Sequence, residues 1–157
     1  MEIALYQPDI APNVGTLMRL GACLGAAVHI IEPCGFPFGA KDLRRAVMDY
    51  KDIADVTRHV SWEAFSEATA TKRKILLTTR ASHPHTEFKF QSDDILLLGR
   101  ESAGVPDAVH DSVDGRVVIP MQPGARSINV ALSASIVLGE ALRQTGGFPL
   151  QAEANDK

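Results

Sequence analysis

The sequence lacks most of the features that declare a function outright. It has only two cysteines, Cys23 and Cys34, not spaced as CxxC. Free, buried thiols in a reducing compartment are the expected state, which points to a cytoplasmic protein. No apolar run is long enough to span a bilayer, so no membrane partner is expected. The opening "MEIALYQPD" has no basic region ahead of its apolar residues, so a secretory signal is not expected either. Positive charge is not in surplus: the net charge is −3, which excludes a bulk polycationic nucleic-acid binder but leaves room for a local basic patch. There is no GxGxxG dinucleotide fingerprint. His83 and His85 have no Cys or carboxylate at metal-ligand spacing, so no metal is expected.

What is present is an ordinary α/β pattern. The 157 residues, 45% apolar and 22% charged, are expected to form one domain over 1–150, with a disordered tail over 151–157. Strands are expected at 2–6, 27–33, 74–79, 94–99 and 116–120; the runs "KILLTT" and "DILLLG" are apolar throughout, as buried parallel strands are. Helices are expected at 13–25, capped by Asn13, at 61–70, capped by Ser61, and at 123–144, with a short basic helix over "KDLRRAVMDY". The alternation predicts a mostly parallel sheet with helices on both faces. In such sheets ligands bind beyond the carboxyl ends of the strands, so the loops after 6, 33, 79, 99 and 120 are the candidate site.

Those loops carry surplus polar residues. After the first strand come Asn13 and Arg19, readable as a cap and a solvated arginine or as a site. After the strand at 94–99 comes "GRESAGVP": Gly99 and Gly104 have P-loop spacing, but Val105 and Pro106 stand where Lys and Ser/Thr must bind phosphate and magnesium. Arg100 replaces the first glycine of a nucleophile elbow, so that reading fails too. Glu101 is then either the partner of Arg100 or another basic residue, or a functional carboxylate. After the last strand, "MQPGARSIN" offers Ser127 and Asn129 where one helix cap suffices. Within the final helix, Ser127, Ala131, Ser135 and Gly139 recur every four residues and make a nearly flat stripe, suited to close approach of another backbone. The basic clusters at 43–45 and 72–74 are solvated faces or phosphate contacts.

Three blocks together carry a resemblance: "NVGTLMR" followed by "HIIEPCGF", then "LLLGRESAGVP", then "VVIPMQPGARSINVALSASIVLGEAL". In that order and spacing the chain, from Met1 to about Gln144, resembles the SpoU branch of the SPOUT class of RNA methyltransferases. Its short length and "DLRRAVMDY" resemble the minimal subfamily that 2′-O-methylates the wobble nucleotide of leucine tRNAs. The resemblance implies an α/β fold with a deep C-terminal trefoil knot, S-adenosylmethionine as cofactor, a homodimer, and tRNA, through its anticodon loop, as substrate. It implies cofactor contacts at Leu77, Gly99, Ile119 and Ser127, and catalytic or substrate-positioning roles for Asn13, Arg19, Glu101, Ser127 and Asn129. Arg19 would hold an RNA phosphate and stabilise a developing alkoxide, while Glu101 fixes the arginine or the knot loop. Lys41, Arg44 and Arg45 are the candidate RNA-binding basic residues around the cleft. Two departures stand out: Gly139 replaces an aromatic residue of close relatives, and "GRES" replaces their "GPE". The rival readings are a non-catalytic RNA or cofactor binder of the same fold and a nucleotide-binding phosphotransferase; the missing phosphate loop weighs against the latter.

Overall fold

The computed structural model describes residues 1–37 and 53–150. The expected basic helix over "KDLRRAVMDY", with Lys41, Arg44 and Arg45, and the tail 151–157 lie outside the described residues. Six strands form one sheet: β1 (Glu2–Tyr6), β2 (Ala27–Ile31), β3 (Val56–His59), β4 (Lys74–Leu77), β5 (Ile95–Leu98) and β6 (Gly115–Val117), in the order β3-β2-β1-β5-β4-β6. Every pairing is parallel. The helices among the described residues are α1 (Ala11–Leu24), α2 (Trp62–Ala68), α3 (Asp107–Ser112) and α4 (Val130–Thr145).

The apolar runs are continuous because the central strands are buried on both faces. In β1, Ile3 and Leu5 join the core under α1 and α4, while Ala4 and Tyr6 face the other layer with Phe65 of α2 and Val109 of α3. Next to it, β5 repeats the division: Leu96 and Leu98 on one side, Ile95 and Leu97 on the other. All four β5 side chains are essentially inaccessible, each stabilising the fold by about 1.5–3 kcal/mol of transfer free energy.

Several expectations change. Asn13 is not the cap of α1: the helix begins at Ala11 with Ile10 as N-cap, and Asn13 is buried in its first turn. Pro12 sits where a helix needs no intrahelical N–H, and the Asn13 amide is engaged elsewhere. Ser61 does cap α2, accepting a hydrogen bond from the Ala64 amide. The last helix starts at 130 rather than 123, capped by Asn129. Ser127 therefore precedes the helix and is not part of a helical stripe. Strand β3 and helix α3 were not expected: β3 is a polar edge strand, and α3 buries only Val109.

One polar chain runs across the sheet. Glu2 of β1 is hydrogen-bonded to His29 Nε2 at 3.1 Å, and His29 Nδ1 to His59 Nε2 of β3 at 3.0 Å. Lys72 closes the chain on Glu2 with an ion pair of 2.5 Å.

Candidate functional site

The strand order reverses between β1 and β5: the chain winds outward through β2 and β3, then returns to fill the other half of the sheet. Parallel sheets open a crevice at such a reversal, beyond the carboxyl ends of their strands. A cavity of about 460 Å³ lies there, lined by residues following β1, β4, β5 and β6 and by the start of α4. Its size is within the range of roughly 300–1,000 Å³ usual for small-molecule sites. Aliphatic side chains make much of its wall, including Leu77, Leu98, Val105 and Ile119, and the charged residues among its lining are Arg100 and Glu101.

The loop after β5 is shaped by two glycines. Arg100 N–H donates to the Gly104 carbonyl, and Gly104 N–H donates back to Arg100, each at 2.9 Å. A Cβ on Gly99 would lie 2.7 Å from the Gly104 backbone, and Gly104 itself has φ +67°, so neither position accepts an ordinary side chain without strain. The GxxxxG spacing thus builds a tight backbone loop, with no lysine to bind phosphate.

That loop carries Glu101 into a relay of hydrogen bonds. Its Oε2 accepts the Asp9 backbone N–H at 2.8 Å, and its Oε1 accepts Asn13 Nδ2 at 2.9 Å. Asn13 Oδ1 in turn accepts Asn129 Nδ2 at 3.0 Å. Asn129 Oδ1 accepts the amides of Ala131 and Leu132 at 2.9 and 3.3 Å, capping α4. One carboxylate and two amides thus join the three loops whose residues were singled out from the sequence. Glu101 does not pair with Arg100. Instead Arg100 reaches Asp9 Oδ1 at 3.2 Å and Gln7 Oε1 at 3.5 Å. Hydrogen bonds from the Ser102 hydroxyl and amide, with Arg100 beside them, hold the Asp9 carboxyl below the usual carboxylate range. Gln7, at φ +44°, is the one non-glycine residue with a positive φ among the described residues, and it turns the chain off β1 towards this cluster.

Of the residues singled out earlier, Asn13, Glu101, Ser127, Asn129, Leu77, Gly99 and Ile119 all line the cavity. Arg19 does not: it is exposed on α1, and six residues on from Asn13 place it about 9 Å further along the helix. The charges of the basic run at 72–74 have partners within the fold. Lys72 pairs with Glu2, Arg73 forms a two-pronged bond with the buried Asp94, and Lys74 donates to the Thr69 carbonyl. Asp9 and Arg100 were missed as site residues, although Asp9 carries the signal that marked Glu101, a carboxylate directly after a strand. Among the described residues no cluster of His, Cys, Asp or Glu could hold a metal ion, and no helix is long and apolar enough to cross a membrane.

Known proteins match this arrangement over most of its length. The model of the SpoU rRNA Methylase family matches residues 1–139. A tRNA (cytidine(34)-2′-O)-methyltransferase from Ancylobacter novellus is 57% identical over 150 residues, covering 94% of this chain and 95% of the relative. A solved structure described as giving insights into the 2-OH methylation of C/U34 on tRNA superposes with a TM-score of 0.86 at 36% identity, covering 91% of this chain and 94% of its own. An AdoMet-bound rRNA methyltransferase from Sinorhizobium meliloti superposes with a TM-score of 0.80 at 25% identity, covering 90% of this chain and 55% of that one. Parallel sheet, cavity and polar relay all fall within the matched span, and this chain belongs to the SpoU rRNA methylase family.

Proposed function

We propose that this protein transfers a methyl group from S-adenosylmethionine to the ribose 2′-OH of the wobble nucleotide of leucine tRNAs, acting in the cytoplasm as a homodimer with no metal. The observation that carries the reading is the Glu101–Asn13–Asn129 relay at the lip of an aliphatic cavity. Similarity to a cytidine-34 tRNA methyltransferase over nearly the whole chain supports the substrate, and the AdoMet-bound neighbour supports the cofactor.

The residues present fit that cofactor. Leu77, Ile119 and the tight Gly99–Gly104 loop give the cavity aliphatic side chains and backbone groups, and Ser127 adds a hydroxyl to its lining. When bound, the cofactor supplies an electrophilic methyl on a sulfonium centre. The rest falls to the protein. The aliphatic walls exclude water, and alignment of the hydroxyl with the methyl supplies much of the rate. Glu101 positions Asn13, whose amide is held between it and Asn129, so both asparagines present fixed amide hydrogens to a ribose at the lip. Arg19 holds an RNA phosphate and stabilises the oxyanion that develops as the 2′-OH loses its proton to a phosphate oxygen or to solvent. An arginine on the exposed side of α1 serves this role from a dimer, in which one subunit's surface meets the other's cavity. The exposed Leu132 and Ile136 on α4, with open space over Gly139, are the apolar surface such a dimer covers. The knotted path of the C-terminal part belongs to the same reading, as do Lys41, Arg44 and Arg45 as phosphate contacts outside the cavity.

Mass spectrometry of ribose methylation in tRNA from cells lacking the gene tests the proposal. The expected result is loss of the 2′-O-methyl group at position 34 of leucine tRNAs, restored by the purified protein with S-adenosylmethionine. A methyl group on a base, or on a ribose in a paired stem, overturns the substrate assignment.

A further inference from the structure

The geometry points to Arg100 as a substrate-binding residue: its guanidinium receives a backbone phosphate of the RNA beside the target ribose. This inference rests on the methyltransferase reading and extends it to a residue not yet given a role there. Three observations carry it.

First, Arg100 is placed with little freedom. Its backbone is locked to Gly104 by two hydrogen bonds of 2.9 Å, so the side chain leaves β5 from a fixed point at the cavity edge. Second, its donors are under-used. Of five N–H groups, one reaches Asp9 at 3.2 Å and one reaches Gln7 at 3.5 Å, both long for a charged donor. The Nε–H is buried and meets no acceptor among the described residues. The two remaining N–H groups are on the Nη atoms of a side chain that is 39% exposed, where a ligand oxygen can reach them. Third, the direction is informative. The proposed cofactor contacts Leu77, Gly99 and Ile119 lie on or after β4, β5 and β6. Arg100 turns the other way, towards Gln7 and Asp9 after β1, the half of the sheet that also supplies Asn13. Asp9 is held in turn by the amide and hydroxyl of Ser102, so the acceptor that orients the guanidinium is itself fixed. A planar fork with an uncommitted N–H on each Nη atom suits two-pronged capture of a phosphate, and lysine cannot reproduce it.

The test uses the full-length protein and a labelled anticodon stem-loop RNA, with wild-type methylation of that RNA measured first. If the wild type does not methylate it, the function assignment fails, and the Arg100 inference falls with it. With an active wild type, Arg100→Gln is expected to bind the RNA roughly tenfold more weakly. The slope of log affinity against log salt should fall in magnitude by about 0.7, the value for one lost phosphate contact on a single strand. Affinity for S-adenosylmethionine should stay within about twofold. Arg100→Lys keeps the charge, so it should keep the salt slope while still losing affinity. An unchanged slope in Arg100→Gln overturns the inference. Loss of S-adenosylmethionine affinity with RNA binding intact also overturns it, and places the guanidinium on the cofactor's carboxylate instead.

Discussion

Asn13 has two duties that the sequence separates poorly: it sits in the first turn of a helix, yet its side chain spans two other loops. Because its amide accepts from Asn129 and donates to Glu101, an isosteric swap to Asp reverses one donor and sets a second carboxylate against Glu101. Asn13→Asp should therefore lose far more methylation than stability, read as single-turnover rate beside a urea melt. For Asn129→Ala the two readouts separate further. The lost cap costs about 1 kcal/mol, whereas a lost positioning contact costs on the order of a hundredfold in rate. Equal, small losses in both would make Asn129 a cap and nothing more. Arg19→Ala should abolish most turnover and leave S-adenosylmethionine affinity nearly intact; the reverse pattern would remove Arg19 from the substrate side.

Among the elements, glycines in the β5 loop and in α4 make opposite predictions. Gly99→Ala forces a methyl group against the Gly104 backbone, so it should destabilise by roughly 1–3 kcal/mol and weaken cofactor binding. Gly139→Ala meets nothing within 4 Å in the single chain and gains about 1 kcal/mol of helix propensity, so its urea midpoint should rise at dilutions where the chain is monomeric. The second result would also show that the small residue at 139 does not serve packing within one subunit. Strands β1, β4 and β5 are legible in the sequence because both their faces are buried, which leaves unbroken apolar runs. Strand β3 is not, since Thr57 and Arg58 face solvent at the sheet edge and only His59 is buried. The start of α4 is displaced because residues 123–128 are not helical: Ser127 and Ile128 line the cavity and Asn129 caps the helix behind them. Asn13, Glu101 and Asn129 are legible as polar residues in excess of capping needs. Their mutual contacts are not, because hydrogen bonds between residues 88 and 116 positions apart leave no local pattern.

For the molecule as a whole, cofactor binding should appear as heat stability. A ligand specific for the native state at a hundredfold excess over Kd adds about 2.7 kcal/mol, roughly 5–10 °C in Tm for a chain of this size. Acid should act the opposite way. Burial, and then the charge of His29, hold the His59 imidazole below its ordinary 6.5. The unfolded chain then binds the proton more readily, so stability is complete above that ordinary value and declines as pH falls below it. Glu2 adds to the decline at lower pH. Burial raises its carboxyl, but hydrogen bonds from Lys72 and His29 outweigh this and hold it below its ordinary 4.5. Urea melts should give a midpoint that falls from about pH 6.5 downward, with a shallower fall in His59→Phe; a midpoint rising on acidification would contradict this. The strand order has a further consequence, in the time before the protein is whole. β1 is made first but occupies the middle of the sheet, and its second neighbour, β5, is made about 90 residues later. At roughly 5–20 residues per second, one edge of a largely apolar strand stays unmatched for about 5–20 s on the ribosome. Substitutions that slow translation between β3 and β5 should therefore lower the soluble yield of a protein whose finished stability they leave untouched.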